Sequence, residues 1–299
     1  MQDIKQTAYL APLGCEQFLF DELSDITHVF GRLALAKGEA QQAYWAQNIW
    51  YNPKIISIKS ISDAAKSLCS IQRNWWPYSY AHHRRLELIK ERLPHISARP
   101  LNFLEKPKAS PLGSFTLIDP QTMLVASACQ SPMPNGEWHF NEDKINPPSR
   151  AYLKLWELFT RGRVYPKKMD ICLDLGASPG GWTWVLSNVA QEVIAIDKSP
   201  LDERISTLHN VRYEAKNAFN INLSDYKDAT WIFSDVICYP DKLFNFVTKL
   251  LEQFPDKRYV FTMKFQGIDH GDVVSRFAAL PGKIIHLYHN KHELTWYKY

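Results

Sequence analysis

Residues 171–184, ICLDLGASPGGWTW, constrain the fold more than any other stretch of the chain. Ile171, Cys172, Leu173 and Leu175 make the short apolar run of a strand buried on both faces of a parallel sheet. Asp174 interrupts it near its carboxyl end. Gly176, Gly180 and Gly181 lack Cβ atoms, so the backbone there can turn sharply, admit a ligand closely and present helix N-terminal N–H groups to an anion. Pro179 stiffens the turn. Taken alone, this is either an ordinary strand-to-helix turn or a nucleotide-type site. The spacing is not the dinucleotide fingerprint G-x-G-x-x-G, because Ser178 stands at its second glycine position and a pyrophosphate would meet a side chain there. A nicotinamide oxidoreductase is disfavoured on that ground. Asp197 ends the next apolar run, EVIAID, and is placed to accept hydrogen bonds from ribose hydroxyls. The two features together favour an adenosine-containing cofactor without pyrophosphate.

The flanking sequence supplies the fold class. Ser149 is the expected cap of a helix, SRAYLKLWELF. Strands and helices then alternate: DICLDL, a helix over 181–190, EVIAID, a short helix, VRYEA, a turn, TWIFSDV, a helix over 240–254, RYVFTMKF, a helix over 271–280, KIIHLYH and LTWYKY. Such alternation predicts an α/β domain, a parallel sheet with helices on both faces. The last two runs are joined closely enough to form an antiparallel hairpin. Ligands of open α/β sheets gather outside the carboxyl ends of the strands. Asp235 ends TWIFSDV, Lys264 ends RYVFTMKF, Glu293 lies between the two terminal runs, and Lys154 comes from the helix before the first strand. Any one of these charges is more often a surface residue, but four beside a glycine-rich loop point to chemistry.

The front of the chain reads as a smaller α+β domain. TAYLA, His28–Ala36, QAYWAQNIW, KIISIKS, SFTLI and MLVASAC are expected strands. Helices are expected from Cys15 to Leu23, from a Ser62 cap through Leu68, and from a Ser79 cap over Leu86, Ile89 and Leu93. Pro132, Pro134, Asn135-Gly136, Pro147 and Pro148 leave little room for regular structure. A boundary there divides 299 residues into 1–147 and 148–299, two domains of ordinary size. Trp138 and Phe140 are expected to pack rather than to stack on a base. No apolar run approaches the roughly 20 residues of a membrane span, and Asp3 and Lys5 are not followed by a signal-peptide core, so a cytoplasmic protein without a membrane partner is expected. The five cysteines are scattered, without the close pairs of a metal or disulfide framework. A net charge of +4 is too small to establish a nucleic-acid partner. From Lys66 to Lys108, however, nine Lys or Arg face three acids, interleaved with Trp75, Trp76, Tyr78 and Tyr80. That stretch is either a solvated helical face or an RNA contact.

The segments PPSRAYLKLWE, LDLGASPGGWTWVL, IFSDV, FTMKFQG and LYHNKHELTWY closely resemble the FtsJ-type 2′-O-ribose RNA methyltransferases, across nearly all of residues 147–299. The resemblance implies a Rossmann-like, S-adenosylmethionine-dependent methyltransferase domain whose Lys-Asp-Lys-Glu set falls on Lys154, Asp235, Lys264 and Glu293. It is strongest toward the RlmM branch, which modifies a cytidine of large-subunit ribosomal RNA and carries an N-terminal THUMP-related domain. Residues 1–130 resemble that front domain mainly through YLAPLGCEQFLFDEL and HVFGRLALA. The implied partner is RNA, 23S ribosomal RNA or a large-subunit precursor, and no metal is expected. The implied cofactor site comprises the loop of Gly176, Ser178, Pro179, Gly180, Gly181 and Trp182, with Asp197 at the ribose, Asn217 at the adenine and Asp235 near the ammonium or sulfonium. Two positions depart from the branch: Asn217 replaces an acid, and Ala151 replaces a small hydroxyl residue and leaves only a backbone contact. Lys264 is the expected base, with Lys154 and Glu293 orienting it and the ribose. The competing readings are methylation of a small molecule and an RNA-binding assembly factor of the same fold with weak or no catalysis.

Overall fold

The computed structural model describes residues 5–108, 110–265 and 272–299. The chain forms two compact units, Met1–Leu101 with Lys106–His139, and Asn102–Glu105 with Phe140–Tyr299. The second unit thus begins ahead of the expected residue 148, because residues 140–147 are tied to the chain beyond them. The Phe140 ring packs on Trp156 and His289 at 5.8 and 5.7 Å between centroids, and the Tyr152 hydroxyl donates to Asp143 O at 3.1 Å. Trp138 and Phe140 are both buried, so each serves packing.

The first unit runs β1 (Gln6–Leu10), α1 (Glu16–Glu22), β2 (Ile26–Phe30), β3 (Leu33–Lys37), β4 (Asn48–Tyr51), β5 (Lys54–Ser57) and α2 (Ile61–Ile71). It continues through β6 (Trp75–Pro77), α3 (His83–Lys90), β7 (Gly113–Asp119), β8 (Thr122–Ala126) and β9 (Ala128–Cys129). Two sheets result, in the orders β2-β3-β1-β4-β9 and β5-β8-β7-β6. The single strand expected over His28–Ala36 is a hairpin, turned at Gly31, whose φ of +61° suits a residue without Cβ. The expected MLVASAC strand divides into β8 and β9, which belong to different sheets, and QAYWAQNIW contributes only its last residues. β6 was hidden by its Trp-Trp-Pro composition; it pairs parallel to β7. Two caps also differ from expectation. Ser60, not Ser62, caps α2 by accepting from Asp63 N, and α3 follows left-handed His82 while Ser79 Oγ instead meets His83 Nδ1 at 2.6 Å. Within the basic aromatic stretch, Trp75 and Tyr78 are core residues of the two sheets. Base stacking by these two rings is therefore excluded.

The second unit contains α4 (Tyr152–Gly162), β10 (Ile171–Leu175), α5 (Gly181–Val189), β11 (Glu192–Asp197), α6 (Glu203–Ser206) and β12 (Val211–Ala215). It ends with β13 (Trp231–Ser234), α7 (Pro240–Gln253), β14 (Arg258–Lys264), α8 (Val273–Ala278), β15 (Lys283–Ile285) and β16 (Glu293–Lys298). The sheet order is β12-β11-β10-β13-β14-β16-β15. The first five strands pair parallel, and β16 inserts antiparallel between β14 and β15. The terminal hairpin is present, but β15 is only the KII of KIIHLYH; the rest of that run is a loop. α8 is shorter than the expected 271–280, whose first residue lies outside the described residues, as do Gln266 and Gly267 of FTMKFQG. Ser149 does not cap α4, because Ala151 occupies the cap position in helical conformation without a side-chain bond. Continuous apolar runs in β10, β11, β13 and β14 match strands covered on both faces.

Candidate active site

The chain leaves β10 to build β11 and β12 on one side, then returns to place β13 on the other. That reversal opens a crevice at the carboxyl ends of β10 and β13, where open α/β sheets hold ligands. A cavity of about 340 Å³ occupies it. Its floor is the glycine loop: Gly176, Ser178, Pro179, Gly181 and Trp182 line it, with Ala151 alongside. Gly176 holds φ +77°, and a Cβ there would stand 2.7 Å from the Val236 Cβ. The loop therefore passes close against the strand-end segment after β13 only because that side chain is missing. Trp182 Nε1 donates to Ala151 O at 3.0 Å, so the backbone contact of Ala151 is made to the loop itself. Gly180 does not line the cavity. Its φ is +113°, and a Cβ would meet Ile205 side-chain atoms at 3.0–3.2 Å. A bulky substitution at Gly180 would therefore strain the fold before it touched a ligand.

Asp197, at the end of β11, lines the same cavity. One carboxylate oxygen accepts from Ser178 N at 3.0 Å and the other from Ser199 N at 2.9 Å. Each oxygen keeps a lone-pair site for another donor. Asn217 does not line the cavity, and its Oδ1 accepts from Phe219 N at 3.1 Å. Asp174 does line it, although the sequence did not single it out as a site residue. It is 1% exposed. Burial pushes its carboxyl up to about 7, with Asp235 and Asp197 adding to the rise and a bond from Thr183 Oγ1 opposing it. The available signal was a carboxylate inside an apolar strand, easily taken for a strand-ending residue.

Lys154, Asp235, Lys264 and Glu293 come together although they arise from α4, the end of β13, the end of β14 and the start of β16. Lys154 Nζ lies 2.9 Å from Asp235 Oδ1 and 2.5 Å from Glu293 Oε2. Lys264 Nζ lies 3.2 Å from the same Asp235 oxygen. Glu293 stands opposite Lys264 in the antiparallel register of β14 and β16. The lysines differ in surroundings. Lys154 is 7% exposed; burial works against its charge, but Asp235 and Glu293 outweigh it and hold the ammonium above the ordinary lysine value. Lys264, with Asp235, faces the cavity.

Two further residues secure this cluster. Glu157, one helical turn after Lys154, is fully buried, and its carboxylate accepts from Tyr288 N at 2.9 Å and His289 N at 3.1 Å. Its Oε1 also accepts from Arg161 Nη1 at 2.9 Å. These bonds clamp the loop that delivers Glu293. Asn290 Nδ2 completes the clamp by donating to Glu293 O at 3.2 Å. On sequence alone Glu157 reads as one more charge on an amphipathic helix. Among the described residues no group of three or more His, Cys, Asp or Glu could hold a metal, and no helix is long and apolar enough to cross a membrane.

With this geometry in place, the likeness to known proteins is specific. Residues 147–255 match the family of FtsJ-like methyltransferases. The ribosomal RNA large subunit methyltransferase M of Halorhodospira halophila is 30% identical over 167 residues, 51% of this chain and 47% of that protein. The protein of the same name from Saccharophagus degradans is 32% identical over 123 residues, 39% of this chain and 35% of that protein. The chain spans about half the length, or less, of these curated relatives. The glycine loop, Asp197, Asp235 and Lys154 all fall inside the matched region, and Lys264 and Glu293 lie beyond its carboxyl end. Within the second unit, residues 147–255 are thus similar to FtsJ-like methyltransferase domains.

Proposed function

We propose that the second unit transfers a methyl group from S-adenosylmethionine to a ribose 2′-hydroxyl of RNA, at a cytidine of large-subunit ribosomal RNA. The observation that carries this reading is the meeting of Lys154, Asp235, Lys264 and Glu293 beside a strand-end cavity walled by a glycine loop. The cavity suits the cofactor. Its volume of about 340 Å³ is within the range of small-molecule sites. Gly176 and Gly181 admit close backbone approach, and the start of α5 offers N–H donors to a carboxylate. Asp197 has acceptor sites left for ribose hydroxyls, Asp235 puts negative charge where a cationic ligand would need it, and Asn217, though outside the cavity lining, has an amide N–H₂ to offer adenine.

Bound there, S-adenosylmethionine supplies an electrophilic methyl group on a positively charged sulfur. The protein's own tasks are alignment and proton removal. Lys264 Nζ faces the cavity and takes the proton from the 2′-oxygen. Lys154, whose proton is held by two carboxylates, does not compete for that role. It fixes Asp235 and Glu293 instead, and Asp235 in turn orients the Lys264 amine. Such a base contributes about 10²–10⁴-fold in rate.

The first unit belongs to the proposal as a THUMP-related RNA-binding domain. Its support is a mixed α+β fold and the helix α3, on which His83 and Arg84 are exposed, a source of phosphate contacts. The test is methylation of protein-free large-subunit ribosomal RNA with labelled S-adenosylmethionine, followed by mass spectrometry of the nucleosides. A 2′-O-methylated nucleoside is expected; label on a base, or none on RNA, would contradict the proposal.

A further inference from the structure

The loop between β13 and α7 follows Asp235 out of the site and carries two large exposed apolar side chains, and neither is used by the chemistry above. Ile237 lines the cavity yet is 74% exposed, and Tyr239 is 71% exposed. Most exposed apolar side chains in a folded protein need no explanation when they occur singly. Here two of them stand within three positions, directly after Asp235. The loop is also held firmly. Val236 is pressed against Gly176, its N–H donates to Ser234 Oγ at 3.3 Å, and Tyr239 is the residue before the first turn of α7, followed by Pro240. Between the two exposed residues, the Cys238 thiol is kept above its ordinary range by burial but drawn down by the charges of Lys242 and Lys264. Ile237 and Lys264 line the same cavity, so the loop stands beside the cavity-facing amine.

From this placement we infer that Ile237 and Tyr239 form the platform that receives the nucleobase of the nucleotide being methylated. The inference rests on the RNA methyltransferase reading above and adds to it the state of the substrate. A ribose can present its 2′-oxygen to Lys264 only at the cavity mouth, and its base must then lie on the surrounding rim. A rim with an exposed aromatic ring and an aliphatic side chain suits a base withdrawn from its stack, because every base has an apolar face and an aromatic partner replaces the neighbour it has lost. A base still paired within a duplex would leave both side chains in water. The substrate is therefore an unpaired or extruded nucleotide, held by its base on one side of the amine while the cofactor cavity lies on the other.

The experiment uses the full chain, protein-free large-subunit ribosomal RNA and labelled S-adenosylmethionine. Wild type, Tyr239→Ser, Tyr239→Phe, Ile237→Ser and Met169→Ser are compared. Met169 is a control, 80% exposed and in the turn before the strand that precedes the glycine loop. Since the altered side chains are largely in water, folding is little affected. Tyr239→Ser should raise KM for RNA by roughly 5- to 100-fold with a small change in kcat, as loss of one stacking contact does. Tyr239→Phe should restore it, Ile237→Ser should act in the same direction, and S-adenosylmethionine affinity should be unchanged in both Tyr239 variants, whose side chain does not line the cofactor cavity. If Met169→Ser and Tyr239→Ser behave alike while wild type is active, the platform is wrong and the methyltransferase reading stands. A wild type that leaves RNA unmethylated overturns the reading and the platform with it. A change in oligomeric state on Tyr239→Ser would assign the patch to self-association instead.

Discussion

Replacing Lys154 by methionine removes the cation while keeping an unbranched side chain that fills much the same space. The ammonium sits 2.9 Å from Asp235 and 2.5 Å from Glu293, with 9% of the lysine side chain and 15% of each acid exposed. At an effective dielectric constant of about 20, each contact is an attraction of roughly 6 kcal/mol before desolvation is counted. Desolvation offsets most of that in the wild type. The variant loses the compensation and keeps two poorly solvated carboxylates, a situation that costs about 3–5 kcal/mol when one partner of a buried pair is removed. Residual water access to the acids places the expected loss near the lower end, about 3 kcal/mol. With a urea slope of about 3 kcal/mol per M, the unfolding midpoint should fall by about 1 M. The Lys154 pKa is raised in the folded protein, so its contribution is complete below the ordinary lysine value of about 10.4 and is lost only as pH climbs through the higher folded value. The deficit should therefore be constant from about pH 7 to pH 9. Urea unfolding followed by circular dichroism measures it. Combining Lys154→Met with Glu293→Gln should recover more than about 1 kcal/mol, since the acid that loses its cation is then neutral, whereas Asp235 still has Lys264 at 3.2 Å. A loss under about 1 kcal/mol, with no recovery in the double variant, would refute the claim that this cation organises the site.

Asp174→Asn keeps an acceptor for Thr183 and removes a carboxyl whose folded pKa is about 7. A raised acid costs nothing below its unfolded pKa of about 3.9, costs progressively more up to about 7, and a constant amount above. The variant should thus be more stable than wild type by about 4 kcal/mol at pH 8 and equal to it near pH 4; lower stability at pH 8 would count against the buried carboxylate. Glu157→Gln puts an amide donor against the Tyr288 and His289 N–H groups, so unfolding free energy should drop by about 1–3 kcal/mol and kcat should fall while S-adenosylmethionine affinity holds. Unchanged kcat would separate the loop clamp from catalysis. Arg84→Gln should lower RNA affinity and reduce the slope of log affinity against log salt by about 1. Arg84 is the better choice for this test because it is exposed, whereas Arg85 is half-buried with its Nε buried; an unaltered slope would make α3 a solvated face.

The second unit was legible in the sequence because its central strands are covered on both faces and so appear as unbroken apolar runs, each followed by a helix. Their polar residues at the carboxyl ends located the site by the same logic. Their placement singled out the four charges and the resemblance then matched them to one Lys-Asp-Lys-Glu set, whereas their contacts were beyond spacing: Lys154 and Glu293 are 139 positions apart and meet only because β16 inserts beside β14. Asp174, noted only as the acid interrupting its strand, and Glu157 were not assigned to the site for a common reason. A buried carboxylate and an exposed one have the same letter, and only the surrounding N–H and O–H donors distinguish them. The first unit was less legible. Its strands are short and one of them is Trp-Trp-Pro, its hairpin turn at Gly31 lies inside a run that reads as one strand, and tertiary packing turned Trp75 and Tyr78 inward from a stretch whose charges suggested a surface.

The most direct test of the account is single-turnover methylation of one RNA preparation by wild type, Lys264→Ala and Lys264→Arg, with S-adenosylmethionine binding measured in parallel by calorimetry. A base must give up its proton before or during attack, and an arginine at that position retains its charge and cannot do so. Both variants should bind the cofactor nearly as well as wild type and lose methylation by about 10²-fold or more. Lys264→Arg working within a few-fold of wild type would contradict the account, because it would show that Lys264 contributes a positive charge rather than taking the proton.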